Sequence, residues 1–262
     1  MKVALCISGQ PRNYREAFPF IYNHIIQPNS ADVFFHTWFD PDNRYMEKQH
    51  LDRGNCEAPE NTIQELVALY TPKDYLVEKP KEFKNPSLVI SEKRIEYCKG
   101  MNKHKNMSDE ECRAHMVKQH TSMYYSFFKA VELKENYANQ HGIHYDFVIR
   151  LRFDVVPYMP IHLHNLDPNF LYYQDMGHPD ELISDWINFG SNCIMNVASS
   201  IYMQLEYLNV FTYYTKDERL PNTLEPSDVC GGMYEHTLRD MISLHKIPTR
   251  RLQLNCNLTP RS

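Results

Sequence analysis

The chain has 262 residues, enough for one large α/β domain with a sizeable core, and its 28 basic and 33 acidic residues give a formal net charge of -5. That balance argues against an electrostatic footprint for nucleic acid. The apolar runs are too short for an integral membrane segment, and the opening MKVALCISGQ is too short for a signal peptide and reads as a buried strand.

Residues 2–8 form an apolar β-type run closed by the turn chemistry of GQPR. The spacing of Phe18, Ile21, Tyr22 and Ile25 predicts a helix over 14–26, and ADVFFHTW at 31–38 a second strand. Residues 40–60 are polar and read as a loop. A short helix at 61–70 opens on an asparagine cap, and 74–79 reads as a strand. The lysine-rich stretch 80–110 reads as a polar insertion or mobile loop inside a single domain spanning 1–262. A long helix follows over 109–139, with Met116, Met123, Tyr124, Phe127, Phe128, Val131 and Leu133 on its apolar surface. It leads into the strand YDFVIRLRFDVVPY at 145–158. Another strand is expected at 170–174, then a strand turning at Gly190 into a helix over 184–208, a last helix at 228–245 and a strand-like 250–254. Strand and helix alternate throughout, so a three-layer α/β/α architecture with a mixed, mostly parallel sheet and a Rossmann-like core is expected.

Seven scattered cysteines without any CxxC fit free thiols and a cytoplasmic protein. Neither GxGxxG after the first strand nor a P-loop occurs, so any phosphate has to be held by side chains or a metal.

Three stretches carry candidate chemistry. In SGQPRNYR the turn leaves the carboxyl end of the first strand, the edge at which open α/β sheets bind ligands, which marks Ser8, Gly9 and the planar fork of Arg12. A surface turn with its arginines paired to nearby acids is the alternative. In FFHTWFD, His36 and Trp38 share a face at the end of the second strand, either as pocket lining or as a satisfied structural histidine beside a core aromatic. In IRLRFD, alternation projects Arg150, Arg152 and Asp154 to one side, an arrangement suited to phosphate together with a divalent cation held by Asp154. A structural salt bridge would need only one of the arginines.

The stretches VALCISGQPRNY, ADVFFHTW, QHTSMYYSFFKAVELKENYANQHGIHYDFVIRLRFDV, DWINFGSNCIM and GGMYEHTLRDMISLHKI together resemble a family of GT-A-type glycosyltransferases found in large DNA viruses and in bacterial surface-polysaccharide clusters. The resemblance is weakest over 40–105. It implies a GT-A-like fold, a nucleotide-sugar donor, a saccharide or glycoconjugate acceptor, and Mn²⁺ or Mg²⁺ at a strand-end acid. GT-A enzymes commonly carry Asp-x-Asp there; this chain reads Arg152-Phe153-Asp154, so only Asp154 carries over as a metal ligand, and Arg152 is placed to supply part of the cation's charge. The resemblance makes Glu235, with Asp228 in reserve, the base that removes the acceptor's proton in an inverting reaction, and sets Asp185 beside Trp186 on the acceptor side. A sugar-phosphate nucleotidyltransferase and a non-catalytic carbohydrate-binding protein of the same fold are the competing readings.

Overall fold

A computed structural model describes residues 1–47, 55–83, 92–100, 105–175, 183–205 and 234–258. In chain order the elements are β1 (Val3–Gly9), α1 (Tyr14–Ile21), a π-helical turn (Tyr22–Ile26), α2 (Gln27–Asn29), β2 (Asp32–Trp38), β3 (Tyr45–Glu47), β4 (Asn55–Glu57), α3 (Thr62–Tyr70) and β5 (Asp74–Glu78). They continue with α4 (Glu92–Gly100), α5 (Asp109–His141), β6 (Phe147–Leu151), β7 (Val155–Pro157), a 3₁₀ turn (Leu163–Asn165), β8 (Leu171–Gln174), β9 (Ile187–Ser191), α6 (Asn192–Ser199), α7 (Tyr234–Leu244), β10 (Thr249–Leu252) and β11 (Cys256–Leu258).

Seven strands make one sheet in the order β10-β8-β9-β6-β1-β2-β5. β1 pairs in parallel with both β2 and β6, β2 with β5, and β10 with β8. β9 runs antiparallel to its neighbours β6 and β8. β1 shows why the sheet is covered on both faces: Val3, Leu5 and Ile7 alternate with Ala4 and Cys6, and all five are fully buried. The odd-numbered set packs with Ala17, Ile21, Leu66 and Tyr70 of α1 and α3. The even-numbered set packs with Tyr124, Phe127, Val131, Met195 and Met241 of α5, α6 and α7. The expected GT-A-like, mixed and mostly parallel α/β/α fold is therefore present, with one core on each side of the sheet.

Three stretches differ from the sequence expectation. Within 40–60, β3 and β4 form an antiparallel pair, and Met46 packs with Phe39 and Ala58. Within 80–110, the described part includes α4, whose Ile95 and Cys98 bury against Cys112, Met116 and Val117 of α5. Two apolar anchors three residues apart are enough to seat a short helix, but they are hidden among lysines in the sequence. The strand expected over 145–158 is two strands: β6 ends at Leu151, residues 153–154 turn, and β7 leaves to pair antiparallel with β11.

Candidate functional site

The chain runs from β1 to β2 and β5 on one side, then crosses back to lay β6 on the other side of β1. The connections leaving β1 and approaching β6 thus diverge, and a crevice opens at the strands' carboxyl ends, where such sheets bind ligands. A cleft of about 280 Å³ lies there. Ser8, Gly9 and Arg12 line it from the end of β1, Trp38 from the end of β2, and Arg150, Arg152 and Asp154 from the end of β6. A fourth wall was not anticipated: His115, Lys118, Gln119 and Ser122 of α5 face the same space. Their spacing is that of one helical stripe, polar where the neighbouring stripe is apolar, and this is the signal that identifies them.

Arg152 holds the β6 end together. Its Nε and NH2 donate to Oδ1 and Oδ2 of Asp154 at 3.0 and 2.9 Å, and its NH1 donates to Oδ2 of Asp185 at 3.0 Å. Burial works against a charge on Asp154, but Arg152 and then Arg12 hold its carboxyl below the ordinary 3.8. Burial likewise opposes the Arg152 cation, and Asp154 and Asp185 outweigh it. Arg150 is fully buried, donates to the backbone carbonyl of Asp185 and lies over the Phe127 ring. Arg12 donates through Nε and NH2 to the side-chain oxygen of Gln10 at 2.9 and 2.7 Å. Arg15 points elsewhere and pairs with Glu65.

Gly9 has φ +115°, with nothing within 4 Å of the place a Cβ would take, so conformation rather than crowding calls for glycine. Its N–H donates to Oγ of Ser126 at 2.8 Å. His36 does not line the cleft. It is fully buried behind the wall, with Nδ1 2.7 Å from Ser126 Oγ and Nε2 3.0 Å from Glu78. Glu78, held ionised near 2 against its burial by hydrogen bonds from Lys81, Tyr125 and His36, only accepts, so Nε2 carries the proton and Nδ1 receives the Ser126 hydroxyl. Burial pushes His36 down to about 4, with Glu78 opposing. The relay Glu78–His36–Ser126–Gly9 thereby fixes the cleft floor, which is the structural alternative for His36. Trp38 does face the cleft and stacks on Tyr125 at 5.4 Å.

Asp185 and Trp186 do not present a joint saccharide surface: Asp185 is turned to Arg152, while Trp186 packs against the core on the α1 and α3 side. Ser191 sits at the N-cap of α6 without a side-chain cap bond. Gly190 is a point of close approach, since a Cβ there would lie 3.0 Å from the Phe170 carbonyl oxygen and from Ile194. Glu235 falls in the first turn of α7, its side chain outside the described residues, and Asp228 lies outside them altogether.

A divalent ion does not fit this donor set. Both oxygens of Asp154 are taken by one guanidinium, Asp185 is engaged by the same group, and no cluster of three or more His, Cys, Asp or Glu able to hold a metal occurs among the described residues.

Neither a scan against family models nor a search of curated proteins finds a match. Among solved structures, the glycosyltransferase GlyE of Streptococcus pneumoniae TIGR4 is similar at 11% identity and TM-score 0.42, over 96% of this chain and 45% of that one. A glycosyltransferase involved in glycosylating the major capsid of PBCV-1 aligns at 11% identity and TM-score 0.31, covering 85% and 79% of the two chains. A nucleoside-diphosphate-sugar pyrophosphorylase from Vibrio cholerae RC9 aligns at 6% identity and TM-score 0.34, covering 98% and 95%. The chain thus spans less than half the length of GlyE. At such similarity the fold assignment rests on strand order and the two cores. No helix among the described residues is long and apolar enough to cross a membrane.

Proposed function

We propose that this chain is a nucleotide-sugar-dependent glycosyltransferase whose donor diphosphate lies in the cleft at the β1–β6 switch point. The observation that carries the reading is the charge of the wall. Arg12, Lys81, Lys118, Arg150 and Arg152 face the space against one carboxylate, Asp154. Such a surface suits a ligand with several phosphate oxygens, and the guanidinium forks suit them geometrically. Trp38, mostly buried and stacked on Tyr125, adds aromatic surface to the lining, of the kind a base or sugar ring packs against.

In the reaction an acceptor hydroxyl oxygen bonds to the anomeric carbon while the bond from that carbon to the diphosphate oxygen breaks. The nucleoside diphosphate leaves with the bonding pair, and the hydroxyl proton passes to a base. Arg12 and Arg152 stabilise the charge that develops on the leaving group. The sequence resemblance assigns the base to Glu235 or Asp228 if configuration inverts. Asp185 orients Arg152 in this reading and does not take a proton itself.

The test is a turnover panel of UDP-, GDP- and dTDP-sugars with saccharide acceptors, read as nucleotide release, with a CMP-sugar as the single-phosphate control that should not be consumed. One donor class is expected to be consumed, and Arg12→Ala to lower that rate by about tenfold or more, as loss of a charged hydrogen bond does. Consumption of no donor would overturn the proposal. So would pyrophosphate release from a nucleoside triphosphate and a sugar 1-phosphate, which identifies a nucleotidyltransferase.

A further inference from the structure

Two acids converging on one point of a buried wall are what ordinarily recruits a hard cation. In this chain the point is filled by a tethered one. The side chains of Arg152, Asp154 and Asp185 are only 11%, 9% and 10% exposed, so the three charges stand in a largely desolvated setting. A guanidinium stays charged at any working pH and carries five N–H donors in a fixed plane. Three of the five are engaged, two by Asp154 and one by Asp185, which leaves two for a ligand in the cleft that Arg152 lines.

The surroundings have the same polarity. Arg12, Arg150, Lys81 and Lys118 line the cleft with Arg152, while the acids that pair with the two lysines, Glu78 and Glu82, are not part of its wall. Positive charge therefore predominates in the wall itself.

We infer that the cleft binds the diphosphate of its nucleotide without a divalent cation, with Arg152 as the resident positive charge between Asp154 and Asp185. This rests on the donor-cleft reading above and goes further by assigning the phosphate-neutralising role to the chain itself. Asp154 and Asp185 are then positioning residues that hold the guanidinium plane.

The test is calorimetric titration of wild type with UDP, GDP and dTDP, once in EDTA and once in excess Mn²⁺, repeated on Arg152→Asp and Arg152→Lys. One nucleotide is expected to bind wild type with a dissociation constant unchanged within about twofold by chelation, an interval far smaller than the loss of a charged contact. Arg152→Asp, which gathers three acids at the point, is expected to lose that binding in EDTA and to regain it with Mn²⁺. Arg152→Lys is expected to bind more weakly than wild type in both buffers, because the planar fork is gone. Wild-type binding that disappears in EDTA and returns with Mn²⁺ would overturn the inference and leave the donor cleft standing. Binding of no nucleotide in either buffer would overturn the cleft reading itself. Should Arg152→Asp fail to fold, the wild-type comparison decides alone.

Discussion

Arg152 is bonded to two acids, and each would be left in a desolvated wall without it. Removing one member of such a buried group costs about 3–5 kcal/mol, because the remaining charges lose their compensation. Arg152→Ala is therefore expected to lower the unfolding free energy by about that amount in urea titrations, whereas Arg15→Ala, at a solvent-screened pair with Glu65, should cost far less. His36 makes a pH prediction. Its value in the fold, about 4, lies below the ordinary 6.5, so the unfolded chain takes up the proton first. Stability is then complete above about 6.5 and declines as pH falls toward 4, by on the order of 3 kcal/mol for a fully expressed shift. The charged groups around the ring, Glu78, Lys81 and Lys129, retain their charge over most of that window. Comparing wild type with His36→Gln between neutral pH and about pH 5 isolates this slope from the other histidines; an unchanged slope would show that His36 is not the buried neutral group. Arg150, Arg152 and Asp154 do line one cleft, as alternation led one to expect, but only Arg150 lies in the strand: β6 ends at Leu151, and the turn that follows brings Arg152 and Asp154 to the same space. That Arg152 would occupy both Asp154 oxygens was not legible, because its second partner, Asp185, arrives from a segment 33 residues further along the chain.

At the level of elements, α5 does the most to build the site. A capping box starts it: Ser108 accepts from the Glu111 N–H, while the Glu111 carboxylate accepts from the Ser108 N–H. Gly142, at φ +64°, ends it. Ser108→Ala is expected to cost about 1 kcal/mol of stability and, because His115 and Lys118 lie in the following turns, to weaken nucleotide binding as well. Gly190→Ala should cost more than Gly142→Ala in the same melting experiment. The first forces a methyl to 3.0 Å from a backbone oxygen, which cannot rotate away; the second meets open space and bears only the cost of its left-handed backbone. The long helix was readable from its apolar stripe, since Met116, Tyr124, Phe127 and Val131 do bury. The cleft-lining stripe beside it was passed over because polar residues on a helix ordinarily face water. Likewise β3, β4 and α4 were read as loop: among the described side chains Met46 is the apolar anchor of β3, and Ile95 and Cys98 are those of α4, too few to register as a period.

For the molecule as a whole, the position of the cleft follows from topology. Strand order places the crevice between β1 and β6, and the sequence already located it by putting Ser8, Gly9 and Arg12 after the first strand and Arg150, Arg152 and Asp154 at the end of the strand that pairs with it. Order along the chain disclosed the strand that turns at Gly190 but not its direction: the antiparallel course of β9 is set by pairing with both β6 and β8 rather than by any local preference. A net charge of -5 coexists with a basic cleft, so binding there is a local electrostatic effect. Nucleotide affinity should fall as salt rises from low to physiological levels, less steeply for contacts to Arg150, which is buried, and Arg152, whose side chain is 11% exposed, than for those to Lys118. The measurement that bears most directly on the account is a crystal structure of the chain with the nucleoside diphosphate that binds it best. The account predicts the diphosphate in the β1–β6 cleft, with phosphate oxygens within hydrogen-bonding distance of Arg12 and Arg152; a nucleotide seated elsewhere, or a cleft that stays empty at saturating nucleotide, would contradict it.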